Sequence, residues 1–93
     1  MLNTQHLMTY KALVETGSFT RTAKQLGLTQ PAISQHIQKL EKELGESLLI
    51  RHGRSIELTP AGEVLLKHID ELEGCYQDFM SSWQAIAHSP QVC

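Results

Sequence analysis

Four neutral side chains, Gln30, Pro31, Ser34 and Gln35, crowd into the first turns of one helical stretch. Gln38 and Lys42 continue the same row, and no carboxylate joins it until Glu41. For a helix taken alone, an ordinary solvated face is the commoner explanation of such a row. Two features argue against it here. A face kept only for solubility rarely lacks acids, and the N-terminal end is the one that helix-turn-helix proteins insert into the major groove. Catalytic chemistry finds no such footing. His6, His36, His52, His68 and Cys75 show no paired spacing of the zinc type, so solvated or locally bonded side chains are expected, and no metal. Ser34 and His36, two apart on a helix, point away from each other and form no nucleophile–base pair. No glycine-rich phosphate cradle is present. Neither an enzyme nor a cofactor is predicted.

The elements around this row have a recognisable order. Residues 18–45 predict two helices, Phe19 to Leu26 and Gln30 to Leu44, joined by the turn Gly27-Leu28-Thr29. Ala23 is a small residue where the helices can cross, Gly27 is free to take positive φ, and Ile33 is an apolar anchor. Leu26 and Leu28 are expected to point inward. On the second helix Ile33, Ile37, Leu40 and Leu44 recur at helical spacing as a buried stripe. Before this pair, a helix over Thr4 to Thr16 presents Leu7, Tyr10, Leu13 and Val14 to the core, with Asn3 as its N-cap and His6 and Lys11 solvated. Gly17 suits the left-handed position that ends this helix, and Ser18 caps the next.

Gly45 ends the second helix of this pair. Leu48-Leu49-Ile50-Arg51 and Ile56-Glu57-Leu58 then read as a hairpin across His52-Gly53-Arg54-Ser55. A hairpin in this place is a wing. Arginines at its tip, Arg51 and Arg54, suit phosphate or narrow-groove contact better than idle surface charge. Thr59 and Pro60 open a helix that runs to about residue 88, roughly 40 Å at 1.5 Å per residue. Its apolar residues Leu65, Ile69, Leu72, Tyr76, Phe79, Trp83 and Ile86 alternate steps of four and three, a heptad seam too long for so small a domain to cover. The seam predicts a partner. Gly74, inside this helix, should cost about 1 kcal/mol relative to alanine.

These motifs fall in one register. Gly17-Ser18-Phe19-Thr20, Ala23, Leu26, Thr29-Gln30-Pro31-Ala32-Ile33-Ser34, Ile37, Leu40-Glu41, Leu44-Gly45, Leu48, Arg51, Arg54 and Leu58-Thr59-Pro60-Ala61-Gly62 resemble the N-terminal DNA-binding domain of LysR-type transcriptional regulators. The resemblance covers about residues 3–88. Thr22 and Leu49 depart from it, standing where the family usually has alanine and phenylalanine. The fold it implies is mainly α: a three-helix core with a short β-hairpin wing, then a long dimerisation helix. The domains would be a winged helix-turn-helix over 1–58, a linker helix over 59–89 and a tail over 90–93. Gln30, Pro31, Ser34 and Gln35 would face base edges: an amide can pair bidentately with adenine, proline can touch a thymine methyl, and serine can donate or accept. Ser18, Thr20, Thr29, Lys39, Arg51 and Arg54 would hold phosphates or the minor groove. Two copies, packed antiparallel through the long helix, would read two half-sites of a dyad operator in double-stranded DNA. The family's larger effector-binding domain is expected to be absent, and with it any small-molecule effector.

With 93 residues, 41% of them hydrophobic, the chain makes one domain with a modest core. No apolar run suits a bilayer, and the N-terminus lacks a basic region followed by an apolar one, so neither membrane insertion nor a signal peptide is expected. Cys75 and Cys93 form no spacing pattern, which suits a reducing cytoplasm. The net charge of −2 looks wrong for a DNA binder until it is divided. Residues 1–54 hold Lys11, Arg21, Lys24, Lys39, Lys42, Arg51 and Arg54 against Glu15, Glu41, Glu43 and Glu46, a balance of +3. The remainder holds Lys67 against Glu57, Glu63, Asp70, Glu71, Glu73 and Asp78, a balance of −5. The first half can therefore face phosphates while the second points away. The alternative is a winged-helix protein-interaction module with no DNA role, which fold alone does not exclude. The divided charge and the polar helix face speak against it.

Overall fold

In a computed structural model, which describes residues 2–53 and 55–87, four helices and one hairpin follow each other in the expected order. Helix α1 spans Thr4–Thr16, α2 Phe19–Leu26 and α3 Gln30–Leu44; strands β1 (Leu49–His52) and β2 (Ser55–Leu58) form the wing, and α4 spans Pro60–Ala87. The expected helix end at residue 88 and the tail over 90–93 lie outside the described residues.

Each helix start has a side-chain acceptor for its free N–H groups. Asn3 Oδ1 accepts from the amides of Gln5 and His6 at 2.8 and 3.2 Å, Ser18 Oγ from Arg21 at 3.2 Å, and Thr29 Oγ1 from Ala32 at 3.2 Å. At the α2–α3 turn Gly27 sits at φ 68°, and the Leu28 amide returns to the Ala23 carbonyl at 2.9 Å. A left-handed residue there is what lets the chain reverse within three residues, and only glycine takes it without strain.

The core gathers Leu7, Tyr10 and Leu13 of α1, Ala23 of α2, Ile33, Ile37 and Leu40 of α3, Leu48, and Leu65 and Ile69 of α4. Val14 and Leu28 pack against it, partly buried. Leu26 and Leu44 do not point inward as expected; they are 37% and 42% exposed. Both stand on the last helical residue before a glycine C-cap, where the chain leaves the packed layer, and Leu44 instead lines a shallow groove with Leu2, Val64 and Leu65. Leu48 is not a strand residue but a fully buried anchor just ahead of β1. Its amide donates to Glu41 Oε2 at 2.8 Å and its carbonyl accepts from Thr59 at 3.2 Å, so α3, the wing root and the start of α4 meet there.

Two residues fix how α4 lies on α1. The Tyr10 hydroxyl donates to the Gly62 carbonyl at 2.9 Å, and burial, with Glu41 and Glu63 nearby, pushes that phenol up to about 12. Gly62 has no room for a side chain: an added Cβ would run into the Leu48 carbonyl oxygen and come within 2.6 Å of Tyr10 Oη. Lys11, expected in solvent, bonds Glu73 of α4 and lies 3.7 Å from Glu15. The carboxylate of Glu73 holds the ammonium above its ordinary range.

The wing is a two-stranded antiparallel sheet pairing Leu49 with Leu58, Ile50 with Glu57, Arg51 with Ile56 and His52 with Ser55. Leu49, Arg51, Ile56 and Leu58 therefore share one face and Ile50, His52, Ser55 and Glu57 the other. His52 and Glu57 join across the outer face at 2.8 Å.

Candidate nucleic-acid interface

The N-terminal turns of α3 project from the body of the molecule. Gln30, Pro31 and Gln35 are exposed and Ser34 half-buried, while Ile33 and Ile37 anchor the opposite side in the core. Proline in the first turn forfeits an N–H that would be unpaired there in any case. The exposed polar face and the buried stripe thus come from one helical period, as the spacing predicts.

Several of the expected contact groups are brought together. Thr20 Oγ1 accepts from Gln30 Nε2 at 3.1 Å across the α2–α3 turn. Ser18 and Thr29, each occupied as a helix cap through its oxygen, keep a hydroxyl hydrogen free to donate. Lys39 is exposed one turn further along α3, on the side of His36. Arg21, Lys24 and Lys42 are also exposed on α2 and α3, whereas Lys11 is committed to the acidic α4. With Glu41 and Glu43 counted against these four cations, α2 and α3 together carry a balance of +2, all of it from Arg21 and Lys24 of α2.

Arg51 is not at the wing tip. It lies on the inner face of β1, its guanidinium 4.1 Å over the Phe19 ring and its Nη2 3.3 Å from Ser34 Oγ. Together with Ile37, Gln38, Glu41 and Leu49 these residues line a cleft of about 310 Å³ between α3 and the wing. Phe19 has no functional signature in the sequence, because its partner is contributed by a strand on another element. The second wing arginine, Arg54, lies outside the described residues.

On the α1 side of α3, His36 Nδ1 meets Thr9 Oγ1 at 2.9 Å, and its ring lies 4.6 Å from that of His6. Burial first, then His6 and Lys39, hold His36 below the ordinary imidazole range. The position of Thr22 is equally structural: fully buried, it donates to the Ser18 carbonyl at 2.7 Å and pairs with Thr16 Oγ1 at 2.6 Å.

The expected dimer seam divides in two. Leu65 and Ile69 are 5% and 2% exposed, spent on the protomer's own core, and Leu72 packs partly against it. The assignment of Leu65 and Ile69 to a dimer interface is corrected: a side chain already covered by its own core has no surface left to bury. Tyr76, Phe79, Trp83 and Ile86 remain 55–64% exposed along the distal half of α4, where Phe79 and Trp83 stack with ring centroids 6.0 Å apart.

Three helices with a hairpin wing, the second and third joined by a tight glycine turn, define a winged helix-turn-helix. The chain belongs to the LysR family: the profile of the bacterial regulatory helix-turn-helix proteins, lysR family, matches residues 4–63. It is similar to the HTH-type transcriptional regulator HdfR of Yersinia enterocolitica serotype O:8 / biotype 1B, with 42% identity over 94 residues, covering 97% of this chain and 30% of HdfR. Similarity to the HTH-type transcriptional regulator TdcA of Escherichia coli K12 is 41% over 69 residues, covering 74% of this chain and 22% of TdcA. The chain spans less than a third of the length of these curated relatives. Among solved structures, the BenM DNA-binding domain bound to catB site 1 DNA superposes with a TM-score of 0.81 at 36% identity, covering 91% of this chain and 96% of that one. The CbnR DNA-binding domain in complex with DNA gives a TM-score of 0.80 at 33% identity, covering 90% and 97%.

Proposed function

We propose that this chain is the DNA-binding part of a LysR-type transcriptional regulator and binds double-stranded DNA through α3. The observation that carries this is the exposed, carboxylate-free N-terminal edge of α3, with cations on α2 and α3 around it and the acidic helix α4 behind. The BenM and CbnR domains of the same fold, solved as DNA complexes, support it. Gln30, Pro31, Ser34 and Gln35 read base edges, while Ser18, Thr20, Thr29, Lys39 and the wing arginines Arg51 and Arg54 hold the backbone and set the register. The winged domain is joined through α4 to a second copy, and the pair reads a dyad. Four side chains, Tyr76, Phe79, Trp83 and Ile86, support the dimer because they leave a continuous apolar strip uncovered. The work is binding rather than catalysis, as the names of the relatives suggest. Among the described residues no helix is long and apolar enough to cross a membrane; the cytoplasm is the proposed location.

Titration of a fluorescent duplex with the protein at several salt concentrations tests this. Affinity should fall linearly in log–log form with salt, with a slope set by the number of phosphates neutralised. Absence of binding at low salt would refute DNA binding and leave the interaction-module alternative standing.

A further inference from the structure

Two side chains on the reading edge of α3 are held by residues from other elements. Arg51 of β1, its guanidinium carbon 4.1 Å over the Phe19 ring, donates to Ser34 Oγ at 3.3 Å. Thr20 of α2 accepts from Gln30 Nε2 at 3.1 Å. A guanidinium has donors only, so Ser34 Oγ accepts and its O–H is left to donate outward. The adjacent positive charge also repels the N–H groups of bases. Ser34 is thereby turned toward base acceptors: N7 or O6 of guanine, N7 of adenine, O4 of thymine. The Thr20 hydroxyl, by contrast, can take either role toward an amide. A phosphate oxygen only accepts, so a phosphate bound by the Thr20 O–H obliges the Thr20 oxygen to accept from Gln30. The Gln30 amide then faces outward with its carbonyl oxygen and its second N–H, the pair that matches adenine N6 and N7.

We propose that Arg51 and Thr20 are positioning residues that set the hydrogen-bond polarity of the recognition helix from outside it. Arg51 assigns Ser34 to base acceptors, and Thr20, once on a phosphate, assigns Gln30 to adenine. This rests on base readout by α3 as proposed above and adds that two residues expected to govern affinity also govern sequence preference. Lysine cannot replace Arg51 in this role, since a point ammonium lacks the rigid planar fork that a guanidinium directs at Ser34.

The test uses a duplex selected by the wild-type protein, together with its single-base variants, measured by fluorescence anisotropy. Ser34→Ala and Gln30→Ala locate the base pair each residue reads. Arg51→Lys keeps the charge, so the salt slope should hold, yet preference at the Ser34 base pair should fall from about tenfold to within about twofold. Thr20→Val should do the same at the Gln30 base pair. Arg51→Lys in the Ser34→Ala background should cause no further loss of preference. Uniform weakening with preference kept at both base pairs would overturn the proposal and leave Arg51 and Thr20 as backbone contacts. A wild-type protein that discriminates between no duplexes would remove base readout itself, a failure visible before any substitution is made.

Discussion

Two glycines on one helix should respond to the same substitution with opposite signs. Gly62 lies in the first turns of α4, where an added Cβ meets the Leu48 carbonyl oxygen and the Tyr10 hydroxyl. That carbonyl is tied to Thr59, and the Tyr10 hydroxyl to Gly62 itself, so neither can retreat without breaking a hydrogen bond. Overpacking costs about 1–3 kcal/mol, and a lost hydrogen bond adds about 1. The gain in helix propensity returns at most about 1 kcal/mol. Gly62→Ala should therefore destabilise by about 2 kcal/mol, which lowers the Tm of a domain this size by about 8–16 °C. Gly74, exposed in mid-helix with nothing near its Cβ direction, offers no such obstacle. Gly74→Ala should stabilise by about 0.5–1 kcal/mol, raising Tm by a few degrees. Thermal and urea unfolding followed by circular dichroism at one fixed protein concentration compares the two, since association also shifts apparent stability. A neutral or stabilising Gly62→Ala would refute the close approach of α4 to the wing root.

Other consequences are as direct. Because His36 is held below its ordinary 6.5, the unfolded chain takes up that proton first. Stability should be full at neutral pH, fall as pH drops through about 6.5, and level off below the folded value. Urea midpoints at pH 7.5 and 5.5 should differ less in His36→Gln than in the wild type; an equal drop would dismiss His36 as the cause. Phe79→Ser with Trp83→Ser should leave the fold intact, since both side chains are more than half exposed, but give monomers in sedimentation. A variant that stays dimeric would refute the distal strip as the interface. Gln30→Ala should cost about 1–3 kcal/mol on the best site and relax preference there, whereas Lys39→Ala should weaken all duplexes alike and reduce the salt slope by about one unit. The reverse pattern would exchange their roles.

The helices of the winged domain were legible because their ends are written locally. Asn3, Ser18 and Thr29 each cap within three residues, and Gly17, Gly27 and Gly45 each stop a helix by adopting positive φ. The polar edge of α3 was legible for the same reason: one helical period separates it from Ile33 and Ile37. What escaped depends on partners distant in the chain. A heptad pattern says that Leu65 and Ile69 face something apolar but not whether the same chain supplies it. Leu48 looked like a strand residue because burial at a strand root and burial within a strand share one apolar signal. Arg51 could be placed on the wing but not on its inner face, since the face follows from the pairing register. Lys11 and Glu73 are 62 residues apart, and no local pattern joins them.

The central claim, that the edge of α3 reads sequence in double-stranded DNA, is tested most directly by selecting bound duplexes from a random pool at near-physiological salt. Recovery of a motif with two related half-sites about one helical turn apart, or a multiple of it, and its loss with Gln30→Ala and Ser34→Ala, is the predicted result. Featureless binding that these substitutions leave unchanged would contradict the claim and reduce α3 to a contact with phosphates.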